Sequence, residues 1–111
     1  ESPFPGGMSH ACEFETSIAL SMRPELVKKE LARKEIGFQG SEFIWWDLSE
    51  RSPVVFMDWW SRMSTTGVIG DPTKATKEKG EKILDEVVEE LARFVKEFKA
   101  RRIPPRVDHH Q

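Results

Sequence analysis

The stretch Ser9-His10-Ala11-Cys12-Glu13-Phe14-Glu15-Thr16-Ser17 is where the fold and the chemistry of this chain are read together. From its middle an apolar repeat begins: Phe14, Ile18 and Met22 recur at i, i+4 with Ala19 beside them, and no Gly or Pro intervenes before Pro24. That spacing predicts a helix from about Cys12. Its first residues follow Pro5-Gly6-Gly7, a run that lets backbone approach a ligand closely. Glu13 and Glu15 fall in the first helical turn, where the helix dipole favours a carboxylate in its ionised form. An ionised carboxylate suits a metal ligand or a base.

The pattern His10-x-x-Glu13-x-Glu15 is not the His-Glu-x-x-His of zinc peptidases, because a second histidine is missing. A nucleophilic Cys12 paired with His10 is a rival reading. Neighbours that close in sequence rarely reach the in-line geometry a thiolate–imidazolium pair needs. Solvated surface is the plain alternative. Access through Gly6-Gly7, and a helix fixed to a core by Phe14 and Ile18, argue against it.

Upstream, residues 1–9 read as loop. The chain opens Glu1-Ser2-Pro3 without an initiator methionine, which suggests a processed product or the C-terminal piece of a longer polypeptide. Downstream, Pro24 sits at a favoured first helical position. Leu26, Val27, Leu31 and Ala32 supply the apolar stripe of a second helix ending near Gly37, so residues 10–37 form a helical elbow. Glu42–Trp46 and Pro53–Met57 are rich in β-branched and aromatic residues and read as two short strands of a hairpin. Four tryptophans, Trp45, Trp46, Trp59 and Trp60, fit a core or a subunit interface, or an aromatic wall over a substrate pocket.

Residues 65–73 read as a turn with two glycines, closed by Asp71 as N-cap and Pro72 at the first helical position. The Lys-Ser/Thr that completes a phosphate-binding loop is absent there, which excludes that nucleotide-binding motif. Thr76 is a second N-cap. Beyond it Ile83, Leu84, Val87, Val88, Leu91, Phe94, Val95 and Phe98 mark one face of a helix from about 76 to 100. Gly80 weakens that helix and so suggests close packing. His109 and His110, in the tail 101–111, read as exposed ends rather than metal ligands.

At 111 residues, 38% hydrophobic and 32% charged, the chain is one domain or part of one. A net charge of -2 gives no reason to expect nucleic acid or an anionic membrane as partner. No apolar run is long enough to span a bilayer. The single cysteine makes no internal disulfide and fits a reducing cytoplasm.

His10-Ala11-Cys12-Glu13-Phe14-Glu15-Thr16-Ser17, followed by Arg23-Pro24-Glu25-Leu26-Val27, resembles the His-Ala-Gly-x-x-Glu-Thr-Ser motif of the creatininase family and its trailing Arg-Pro-Glu-Leu-Val. Gly67-Val68-Ile69-Gly70-Asp71-Pro72, with Ala75 and Gly80, resembles that family's second C-terminal signature. One departure is Cys12, where the family carries glycine. Within the family the approach Gly6–Ser17 is most similar to the 3-dehydro-scyllo-inosose hydrolases of inositol catabolism, which open a diketone ring.

The resemblance implies a three-layer α/β/α fold with a mainly parallel sheet. This chain would supply the C-terminal part of that domain, and the assembly would be a homo-oligomer, a hexamer. It implies a divalent-metal hydrolase, with Zn or Mn, acting on amides or on ring C–N or C–C bonds of a small-molecule substrate. His10 would then be the catalytic acid/base and Glu15 a catalytic, metal-side carboxylate or metal ligand. Gly6, Gly7, Ser9 and Cys12 would line the substrate. The family's other metal ligands lie in an N-terminal half whose segments do not occur here, so a missing segment or chain is an expected partner. A non-catalytic interaction module, or a remnant that folds without chemistry, is the competing reading.

Overall fold

The computed structural model describes residues 4–110; Glu1–Pro3 and Gln111 lie outside it, together with the parts of the expected loop and tail that fall on them. In chain order the elements are β1 (Met8–His10), α1 (Glu13–Met22), α2 (Trp60–Met63), β2 (Ile69–Gly70) and α3 (Lys77–Ala100). Single 3-10 turns lie at Pro24–Leu26, Lys29–Leu31 and Pro72–Lys74.

β1 and β2 pair antiparallel, Met8 opposite Gly70 and His10 opposite Ile69, with an irregularity between. Glu35 bridges to Gly70 as well: its N–H donates to Gly70 O at 2.9 Å, and Gly70 N–H donates back at 2.6 Å. The sheet among the described residues is thus a small antiparallel ribbon, not the mainly parallel sheet expected. β2 lies within the segment read as a turn. Gly70 makes the pairing possible: its φ is 141°, and a Cβ there would lie 2.5 Å from Gly7 O and 2.6 Å from Cys12 Cβ. Only glycine lets three backbone segments meet that closely.

α1 packs on the start of α3 through its small and polar side. Ser17 is fully buried; its Oγ donates to Glu13 O at 2.6 Å and accepts from Thr76 N–H at 3.2 Å. Gly80 stands so close that a Cβ would lie 1.9 Å from Ser17 O, which accounts for a glycine inside a long helix. Lys79 Nζ donates to Glu13 Oε1 at 2.5 Å and to Lys74 O at 3.0 Å. Phe14 and Ile18 are only half-buried and Met22 is exposed. The expected apolar stripe of α1 is therefore not its most buried face.

Thr76 caps α3, its side chain accepting from Lys79 N–H at 3.2 Å, and Asp71 caps the 3-10 turn before it. The helix spans Lys77–Ala100. From Asp85 to Ala100 all its residues are exposed, among them Val88, Leu91, Phe94 and Phe98.

The second helix of the elbow does not form. Val27 (ψ 112°) and Lys28 (ψ 72°) leave helical geometry and split residues 24–31 into two single turns. Of its expected stripe Leu26 and Leu31 are exposed and Val27 and Ala32 only half-buried, too little burial to support continuous helix.

The hairpin is also corrected, because serine side chains take the bonds a ladder would use. Ser52 Oγ donates to Phe43 O at 2.9 Å or Val54 O at 2.7 Å and accepts from Trp45 N–H at 3.1 Å. Ser41 Oγ accepts from Phe43 N–H and Ile44 N–H. One backbone bond remains between the two runs, Val54 N–H to Phe43 O at 3.0 Å. The radius of gyration is 18.8 Å, against about 13 Å for a compact chain of this length.

Candidate active site

His10 is placed by three local features. It ends β1 opposite Ile69, so the ladder sets its direction. Ala11 follows with φ 48°, a left-handed backbone that costs an L-residue about 1–2 kcal/mol. That one residue turns the chain from β1 into Cys12, the N-cap of α1, and leaves His10 exposed at the corner. Trp60 then meets the imidazole, ring centroids 4.7 Å apart and planes at 72°. Trp46 packs on Trp60 at 5.7 Å. Of the four tryptophans Trp60 meets the histidine and Trp46 backs Trp60, while Trp59 is 74% exposed.

Glu15 is engaged by Cys12. Its Oε2 accepts from Cys12 N–H and from the Cys12 thiol, both at 3.1 Å, so it closes a capping box at the start of α1. No hydrogen bond joins Glu15 to His10 among the described residues. Cys12 is fully buried. Burial, and next the hydrogen bond it donates to Glu15, push its thiol up to about 11, against the opposing pull of the Phe14 and Glu15 backbone. At neutral pH it is a protonated donor, not a nucleophile, and it has no exposed surface to offer a ligand.

Gly6 and Gly7 are buried and one backbone polar group of each is engaged. Gly6 N–H donates to Asp47 Oδ2 at 2.8 Å, and Gly7 O accepts from Asp71 N–H at 3.0 Å. Ser9 Oγ donates to Trp46 O and lines a cleft of about 470 Å³ with Trp45, Trp46, Asp47, Val55 and Met57. Asp47 anchors that wall. Burial pushes its carboxyl up, but hydrogen bonds from Ser49, Gly6 and Met8 outweigh it and hold the group below its ordinary value.

A divalent ion is not fitted by these residues alone. Among the described residues no three His, Cys, Asp or Glu side chains converge as a metal group would require. Glu15, the expected ligand, already commits Oε2 to Cys12. His109 and His110 lie exposed on the tail, where His110 faces Asp108 at 3.4 Å.

Sequence reasoning passed over Glu35. Its carboxylate accepts from Thr65 N–H at 2.6 Å, Thr65 Oγ1 at 2.9 Å, Ser64 Oγ at 3.0 Å, Thr66 N–H at 3.1 Å and Thr66 Oγ1. The Thr65 backbone and then the Thr66 hydroxyl hold it down to about 2. These donors lie 29 to 31 residues downstream, so no local motif marks the residue.

The family model for creatininase, creatinine amidohydrolase, matches residues 1–95, most of the chain. The chain belongs to the creatininase family. A solved structure from Bacteroides fragilis NCTC 9343, described as a candidate creatinine amidohydrolase, is similar to it with a TM-score of 0.68 and 28% identity. The match covers 92% of this chain and 39% of that one, so this chain spans well under half the length of that creatininase relative. No curated protein matches it. Creatininase membership assigns the chain to a family of hydrolases. No helix among the described residues is long and apolar enough to cross a membrane.

Proposed function

We propose that this chain carries the proton-transferring part of the active site of a metal-dependent hydrolase acting on a small cyclic ketone or amide. The observation that carries the reading is the exposed His10, aimed by β1 and the left-handed Ala11 and set against Trp60. An imidazole titrates near neutrality and can take a proton from an attacking water and return it to a leaving atom. Trp60, backed by Trp46, gives that proton carrier an apolar flank on which a compact ring can rest. The approach Gly6–Ser17 favours ring opening of 3-dehydro-scyllo-inosose, in inositol catabolism; a creatinine-type cyclic amide is the alternative.

The metal, Zn or Mn, would draw its ligands from polypeptide beyond the described residues, with Glu15 adding one carboxylate oxygen at most. That requirement is the basis for proposing an N-terminal segment or chain as partner. The complete three-layer α/β/α domain, a hexameric assembly and a cytoplasmic location belong to the same proposal. The exposed apolar side of α3 favours a second reading, a non-catalytic interaction module. Zn or Mn bound to the purified intact protein supports the hydrolase, and a metal-free, inactive assembly supports the module.

His10→Ala in the intact protein is expected to lower kcat by at least about 100-fold and to leave the assembly mass unchanged. Wild-type turnover in that variant removes His10 from the chemistry.

A further inference from the structure

His10 and Trp60 are both referenced to the same two residues, Ile69 and Gly70. His10 is set by the ladder, opposite Ile69. Trp60 is set by a relay of hydrogen bonds. Glu35, whose backbone is fixed to Gly70 on both sides, holds Ser64, Thr65 and Thr66 with its carboxylate. Ser64 Oγ in turn accepts from Gly67 N–H at 2.9 Å, and Gly67 O accepts from Trp60 Nε1–H at 3.3 Å. The indole so fixed is the one 4.7 Å from the His10 ring.

We infer that Glu35 is a positioning residue for His10, acting through Ser64, Gly67 and the Trp60 indole. No Lys or Arg pairs with Glu35 among the described residues, so it serves as an acceptor and not as half of an ion pair. Its partners are neutral hydroxyls and amides, and both oxygens are used. An amide in its place turns an N–H₂ toward donors and loses half of the acceptors. Segment 64–67 then loosens, and with it the ring that limits how the imidazole turns. A carboxylate that only stapled the loop would leave His10 untouched.

The catalytic half of this inference rests on the proposed role of His10; the structural half does not. Ring-carbon NMR of His10 in the intact protein reads the Trp60 ring current directly, and Trp60→Leu calibrates it. Glu35→Gln is expected to move the His10 resonances in the direction of Trp60→Leu and to lower kcat about ten-fold, with KM little changed. The double variant should be no worse than Trp60→Leu alone.

Unmoved His10 resonances in Glu35→Gln, or independent effects that multiply, overturn the inference. Ser64→Ala breaks the relay while keeping the Thr65 and Thr66 bonds, and must show the same shift if Glu35→Gln does not fold. Shifted resonances with unchanged turnover support the positioning and count against the hydrolytic role of His10.

Discussion

The two ends of α3 meet opposite surroundings. Between Thr76 and Gly80 the helix is tied to α1 by the Thr76 N–H bond to Ser17 Oγ, an ion pair to Glu13 and a backbone approach that excludes even a methyl group. From Asp85 onward the same helix carries Val88, Leu91, Phe94 and Phe98 on exposed positions. The apolar repeat is stronger at the second end, yet the fixed geometry is at the first. Periodicity therefore marks a face that is able to be buried. It does not mark the contacts that set where the helix lies, which here are small, polar and glycine-dependent.

Substitutions along α3 can break or sharpen this contrast. Gly80→Ala should have the largest effect. Helix propensity alone would favour alanine by about 1 kcal/mol, but its Cβ would fall on Ser17 O. A net loss of about 2 kcal/mol or more in denaturant unfolding is expected, and a stabilised variant would mean α1 and α3 do not touch as described. Thr76→Ala removes one cap bond and should cost about 1 kcal/mol in the same assay. Val88→Lys, at the far end, should change stability by less than about 0.5 kcal/mol. A loss several times larger would show that this face is covered in the intact protein and erase the difference between the ends.

What could be read from the sequence follows the same line. α1, the caps at Asp71 and Thr76, and α3 were legible because their signals lie within a few residues of one another. Close packing at Gly80 was legible because glycine is costly in a helix. The run from Pro24 to Gly37 misled because leucine spacing suggests a stripe only where something covers it, and Leu26 and Leu31 are exposed. Glu42–Trp46 and Pro53–Met57 misled because Ser41 and Ser52 divert the backbone groups of a strand pair.

At the site, His10 and the density of groups after Gly7 stood out in the sequence. The partner of Glu15 was hidden, since nothing in Cys12-x-x-Glu15 says that the thiol and the N–H of Cys12 donate to the carboxylate. Glu35, and which of the four tryptophans meets His10, were hidden for a different reason. Their meaning depends on Gly67 and Gly70, and only the fold brings those residues together.

The pairing of β1 with β2 has a kinetic side. Met8 and Gly70 are partners, and joining them closes a loop of roughly 60 residues, an entropic cost of about 4 kcal/mol on logarithmic scaling. Helical turns in α1 and α3 form from neighbours and bear no such cost. The direction of His10 is thus acquired only when distant parts of the chain have met, and the orientation of its ring becomes a sensitive gauge of complete folding, more so than helix content.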